Sequence, residues 1–224
     1  GDDKFYVAGD DGLDQISGGE GHDTVQGSRW GDVFRVESNL ENLDSVEAID
    51  GGDGYDVIRG TGGDDVLDFS SGIEISNVEQ IDGGAGDDHV IGTSGDDFIQ
   101  GGSGNDVLEG GAGDDTLQGG AGNDRLDVGA DGGTAYGGAG DDVMMFELGN
   151  GEAHFDGGSG WTDAIELGDS VPSDPGSWVL SIDGEEVDVD LAAGALDLAP
   201  DTDGVITLND GSELSFEGVE RIEW

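Results

Sequence analysis

The chain of 224 residues has no cysteine, three prolines, and only six lysines and arginines together. Without cysteine there is no disulfide framework and no thiolate chemistry, so an extracellular setting needs some other staple. Six basic residues against 54 acidic ones leave a formal net charge of −48. A surface this acidic repels phosphate backbones and anionic headgroups, which excludes nucleic-acid binding. No apolar run approaches the ~20 residues that span a bilayer, so membrane insertion is not expected, and no signal-peptide pattern opens the chain. Apolar side chains are sparse too. Leu, Ile, Val and Phe number 52 of 224, and only ten of them lie between positions 83 and 145. That stretch falls below the roughly 20% at which a highly charged chain stays disordered. Apolar burial alone does not fold it.

What the chain has in abundance is glycine and aspartate in a fixed order. Residues 101–127 read GGSGNDVLE GGAGDDTLQ GGAGNDRLD. The nonapeptide G-G-x-G-[ND]-D-x-U-x, with U apolar, runs in frames starting at 83, 92, 101, 110 and 119. Frame 128–136 is degenerate but keeps phase with the copy at Gly137, and 74–82 (EISNVEQID) holds the same phase, so 74–145 reads as eight nonapeptides. Two further blocks cover 9–35 and 42–68, separated by insertions at 36–41 and 69–73. A phrase V-E-x-I-D follows each insertion and recurs as VERIE at 219–223, and it reads as a starter strand. The chain opens in the middle of a repeat, as a module of a longer protein would.

The nine places divide into six plus three. The first six are rich in glycine, which tolerates positive φ in tight turns. The last three carry one apolar side chain between two outward neighbours, a minimal strand. Eighteen residues then close a flat coil, and coils stack at the strand spacing of about 4.8 Å. Eighth-place residues fill the interior in two rows: Val90, Leu108, Leu126 and Met144, then Ile81, Ile99, Leu117 and Ala135. Stacking also brings sixth-place aspartates together. Two bare carboxylates about 5 Å apart repel by roughly 3 kcal/mol at an effective dielectric of 20. A cation between the rungs removes that repulsion. Carboxylates with exposed backbone carbonyls form the all-oxygen set that Ca²⁺ takes, whereas Zn²⁺ prefers Cys or His and Mg²⁺ keeps several waters.

These copies resemble the RTX (repeats-in-toxin) nonapeptide, over most of residues 9–165. The resemblance implies an all-β fold, a right-handed parallel β-roll, with several Ca²⁺ ions held between turns eighteen residues apart. It implies sixth-place ligands at Asp14, Asp23, Asp32, Asp56, Asp65, Asp88, Asp97, Asp106, Asp115, Asp124 and Asp142. It also implies carbonyl ligands at Gly84, Gly86, Gly102, Gly104, Gly111, Gly113, Gly120 and Gly122. Gly133 in a sixth place, Trp30 in a fourth, and Glu47 and Glu79 in place of Asp depart from the pattern. GGSGWTDAI at 157–165 moves its acid to seventh place, Asp163, and is left out of the ligand set.

Beyond 165 the composition changes, and all three prolines lie there. Residues 177–191 read as two strands around Asp183-Gly184, and 204–224 as a hairpin around Asn209–Gly211. The division expected is a roll over 1–165 and a hairpin cap over 166–224, with Trp178, Phe216 and Trp224 on the last rungs, because a stacked coil needs its open end covered. This segment resembles the C-terminal ends of large RTX adhesins exported by type I secretion. The family resemblance implies calcium ions and the type I machinery as partners, an extracellular or cell-surface location, and a monomeric module. Folding gated by calcium outside the cell is the function expected, in an adhesin. The alternative is an accessory module of a secreted protease, lipase or epimerase. Catalysis within these residues is not expected, since His22, His89 and His154 lie in no nucleophile elbow, HExxH phrase or phosphate loop. An ice-binding face would need a regular Thr ladder, and Gln80, Phe98, Thr116 and Thr134 supply two Thr in a row.

Overall fold

The computed structural model describes residues 1–7, 9, 16–17, 19–37, 40, 43–70, 72–160, 162–168, 177–190 and 193–224. Among them there is no α-helix, and the strands stack in walls. One wall holds β1 (Lys4–Tyr6), β3 (Thr24–Gln26), β6 (Ala48–Asp50) and β9 (Glu74–Ser76), all parallel. A second holds β4 (Val33–Arg35), β7 (Val57–Arg59), β10 (Gln80–Ala85), β12 (Phe98–Ser103), β14 (Asp115–Ala121), β16 (Gly132–Ala139) and β18 (Glu152–Ser159). A third holds β8 (Val66–Asp68), β11 (His89–Ile91), β13 (Val107–Glu109), β15 (Arg125–Asp127), β17 (Val143–Phe146) and β19 (Ala164–Leu167). β2 (Ile16–Ser17) pairs with β5 (Leu43–Asp44).

The eighteen-residue coil holds from β10 to β17, where Ile81 pairs with Ile99 and Ile99 with Leu117, and it lengthens at β18 and β19, where Ala135 pairs with Phe155 and Met144 with Ile165. Before β10 the coil is longer, since Val33 pairs with Val57 and Ala48 with Glu74. The frame 74–82 is therefore not a nonapeptide half-coil. Its first strand, β9, belongs to the additional wall, and only Gln80–Asp82 join the second wall, opposite Val57–Arg59. Together with the insertions, these extra residues give each N-terminal coil a third side. Val36 and Phe69, at the starts of the two departures, are both buried.

The parallel register follows from one buried apolar residue per strand, since a slip of one residue would turn that side chain outward. Both expected interior rows are buried, from Val90 to Met144 and from Ile81 to Ala135. They extend through Phe34 and Ile58 at one end and Phe155, Ile165, Phe216 and Ile222 at the other. The last strands close the stack. β20 (Trp178–Ile182) and β21 (Glu185–Val187) form an antiparallel hairpin turning at Asp183-Gly184, and β20 also pairs with β22 (Ala195–Leu208). β22 turns back into β23 (Glu213–Glu223), which lies parallel to β18 with one half and to β19 with the other. Phe216 thus sits opposite Phe155 and Ile222 opposite Ile165, so β23 completes both walls of a final rung. Trp178 and Trp224 pack at 5.3 Å between ring centroids.

Candidate metal centres in the acidic turns

The sixth-place aspartates line up along the turns. In the longest column each backbone N–H donates to the carboxylate one coil further on. Asp65 donates to Asp88, Asp88 to Asp106, Asp106 to Asp124 and Asp124 to Asp142, all at 2.8 Å on Oδ1. On the other edge Asp32 donates to Asp56 at 2.6 Å and Asp97 to Asp115 at 2.9 Å. Asp23 accepts from the N–H of Asp3 at 2.7 Å. Of these residues all but Asp3 and Asp97 are buried. Asp14 lies outside the described residues.

Each carboxylate that accepts in these columns thus uses one oxygen to hold its neighbour. The second oxygen is the informative one. In Asp23, Asp56, Asp88, Asp106, Asp115, Asp124 and Asp142, Oδ2 is buried with no hydrogen-bond partner. An anionic oxygen taken out of water without a partner costs several kcal/mol as an order of magnitude, or else becomes protonated. Burial accordingly pushes the carboxyls of Asp88, Asp115 and Asp124 up to about 6, with backbone N–H donors pulling the other way and neighbouring carboxylates adding to the rise. Asp142 is pushed up to about 7 by the same cause.

Glycine in the first place makes room for this oxygen. A Cβ on Gly83 would stand 2.7 Å from Asp88 Oδ2 and 2.9 Å from the Gly101 carbonyl oxygen. Gly84, Gly102 and Gly120 form one column of the same turns, each facing the carbonyl oxygen of the second-place residue one coil earlier; Gly86, Gly104 and Gly122 form the fourth-place column beside it. Gly111 and Gly113 lie on the other edge, stacked on Thr93 and Gly95. Among the described residues no three acidic or histidine side chains converge. What converges instead, in those seven turns, is one unpaired carboxylate oxygen with backbone carbonyls of adjacent coils. This donor set is all oxygen and anionic, and it fits Ca²⁺.

Three features escaped the sequence reading. Glu47, Glu79 and Glu220 extend the ladder. Asp23 N–H donates to Glu47, Asp56 N–H to Glu79 and Asp163 N–H to Glu220, at 2.7–2.8 Å. In all three cases the carbonyl of that same aspartate accepts two successive N–H groups, from the Glu and the residue after it. The V-E-x-I phrase is therefore one local device used three times. Asp163 is also in the ladder: it is buried, it accepts the Asp142 N–H at 2.8 Å, and burial raises it to about 6. The signal was available as an acid two residues before a buried apolar residue, as in Asp163 and Ile165 or Glu220 and Ile222. The third feature is the fifth place. Asn105 N–H donates to Asp87 Oδ1, Asn123 N–H to Asn105 and Asp141 N–H to Asn123, at 2.7–3.0 Å. This outer ladder runs in the opposite sense to the sixth-place one.

The family model of the RTX calcium-binding nonapeptide repeat (4 copies) matches residues 6–29, 44–73, 82–117, 100–135 and 134–152, more than half of the chain. No curated protein matches the chain. That family binds Ca²⁺ ions in its turns. The stacked aspartate turns, the buried unpaired oxygens and the family match agree: the chain belongs to the RTX calcium-binding nonapeptide repeat family.

Proposed function

We propose that this calcium-binding chain is a folding switch within a secreted protein, disordered where calcium is scarce and ordered outside the cell. The observation that carries this reading is the set of seven buried aspartates, each with one unpartnered oxygen. A chain of −48 formal charge holding those oxygens bare is poorly stable, and a ligand that binds only the folded form adds its binding free energy to folding. Asp23, Asp56, Asp88, Asp106, Asp115, Asp124 and Asp142, with carbonyls of the glycine columns, would hold the ions. The ions supply charge neutralisation and cross-linking between coils. A chain kept unfolded before export and folded after it suits type I secretion, because folding at the exit hinders backsliding. An adhesin is the favoured parent, on the likeness of residues 177–224 to adhesin ends.

The module is proposed to carry no catalysis. His89 pairs with Glu109 at 2.9 Å on the outer surface. His154 meets Ser215 at 3.0 Å with Glu217 at 3.7 Å, but His154 and Ser215 are directly opposite in the β18–β23 register, and strand pairing alone accounts for the contact. The test is far-UV circular dichroism in chelator and then in millimolar calcium. A β spectrum that appears with calcium and vanishes on chelation supports the switch. A spectrum already β-rich in chelator would sink it.

A further inference from the structure

The turns fall into two classes, and the division follows one residue. In the seven frames whose aspartate has an unpartnered Oδ2, the second place is glycine with φ between +94° and +114°. In three frames it is Ser28, Thr61 or Thr93. None of these three has positive φ, and neither do the fourth-place Trp30, Gly63 and Gly95. The same set of bonds closes all three turns. The second-place N–H donates to the sixth-place Oδ2: Ser28 to Asp32 at 2.5 Å, Thr61 to Asp65 and Thr93 to Asp97 at 2.6 Å. The second-place hydroxyl donates to that carboxylate at 3.2, 2.9 and 2.9 Å. The fourth-place N–H donates back to the hydroxyl at 3.1, 3.2 and 3.1 Å.

From this we infer that the turns 27–32, 60–65 and 92–97 are closed by their own hydroxyls and hold no cation, whereas each Gly-Gly turn with a free buried Oδ2 holds one. The inference rests on the calcium reading above and refines it. In the Thr61 and Thr93 turns, the oxygen that would meet the metal already has two protein donors, one of them a backbone N–H. In the Ser28 turn the N–H holds that oxygen and the hydroxyl holds the other. A residue with a Cβ, and a β-branched one above all, does not readily take the φ of +94° to +114° that opens the turn. Each closed turn also begins a run of aspartates among the described residues: Asp32 stands before Asp56, Asp65 before Asp88 and Asp97 before Asp115. At its C-terminal end, the run from Asp32 stops at Glu79 and the run from Asp65 at Glu220. In these two runs a Ser or Thr turn opens the column and a V-E-x-I glutamate closes it, while the run from Asp97 ends opposite Gly133.

The test counts calcium per chain on the folded protein, by equilibrium dialysis and atomic emission, for the parent and for Thr93→Gly, Thr93→Ser and Thr93→Ala. Thr93→Gly is expected to bind one more ion than the parent, and the double variant Thr61→Gly/Thr93→Gly two more. Thr93→Ser keeps the parent count. Thr93→Ala gains no ion and loses order at a lower temperature. A second measurement, an anomalous difference map from calcium-loaded crystals of the parent, covers the case in which the glycine variants do not fold. Peaks at Gly-Gly turns with none at 92–97 are expected. A calcium peak inside 92–97, or an unchanged count in folded Thr93→Gly, overturns the inference while the function stands. A parent chain that takes up no calcium overturns both.

Discussion

Asp106 stands in the middle of the longest column, and its replacement by Asn separates its two roles. Asn retains an oxygen for the Asp88 N–H, bonded at 2.8 Å in the parent, and nearly the same volume, but it removes the anionic oxygen that is buried without a partner. Extracellular calcium modules bind at about 10⁻⁴–10⁻³ M. At 10 mM calcium, a site of ~10⁻⁴ M affinity stabilises the folded chain by ~2.7 kcal/mol. The Asp106 side chain reaches only the coil before it, through the Asp88 N–H, and its link to Asp124 is a backbone N–H that Asn keeps, so the change weakens one site and the loss reaches ~2.7 kcal/mol. That is about half the lower bound of typical domain stability, about 5–15 kcal/mol. The expected result of a calcium titration followed by circular dichroism is a midpoint at least ten-fold higher for Asp106→Asn. In chelator the same variant is no less ordered than the parent, because a repelling charge has gone. Asp106→Ala should fall further, by about 1–3 kcal/mol, since it also strands the buried Asp88 N–H. An Asp106→Asn chain that titrates at the parent's midpoint would refute the assignment of that oxygen to the metal.

Acidification tests the same carboxyls without calcium. Their folded values are raised above the unfolded one, so their contribution to stability is present below about 4 and is lost as pH rises through about 6–7. In chelator the β signal should therefore grow between pH 7.5 and pH 5.5, and its absence at both would count against a buried ladder. With calcium present the sign reverses, because protons compete for the ligands, and the calcium midpoint should rise at pH 5.5. Gly102→Ala is expected to unfold at least one coil, since φ is +113° and its Cβ would run into the Gly84 carbonyl oxygen; thermal denaturation in calcium measures this. Leu117→Ala, at a fully buried rung, should cost about 2–5 kcal/mol by thermal denaturation in calcium. Glu220→Ala removes the acceptor of the buried Asp163 N–H and should cost about 1–3 kcal/mol, with Trp fluorescence reporting loosening of the last strands.

The regular part of this molecule was legible because its code has a short period. One apolar residue per nine sets the interior, and the sixth-place acid sets the column, so Leu108 and Asp106 could be placed from the letters alone. The N-terminal coils were less legible. EISNVEQID keeps nonapeptide phase, yet Glu74 pairs with Ala48 and Gln80 with Val57, because the additional wall of β1, β3, β6 and β9 interposes where the letters show no break. Glu47 and Glu79 depart from the sixth-place Asp by one methylene. Length is what the entry to a new coil uses, since each follows a positive-φ residue, Ser45 or Asn77, that shifts the backbone. Asp163 stands in seventh place counted from Gly157 but in sixth place counted back from Ile165, and the buried apolar residue sets the frame. The Ser and Thr turns were invisible to a pattern that leaves the second place as a tolerated variation. Their effect lies in the backbone angle, which composition does not reveal.

The shortening of the coil at β10 gives the solenoid two gauges. The wide portion carries bulky side chains such as Phe34, Ile49, Ile58 and Phe69 in its interior, while the slender portion between β10 and β17 is filled by single files of medium ones and by Ala135. A rod of mixed calibre has a seam where the calibres meet, near residues 74–80. Heat or force should part this one there.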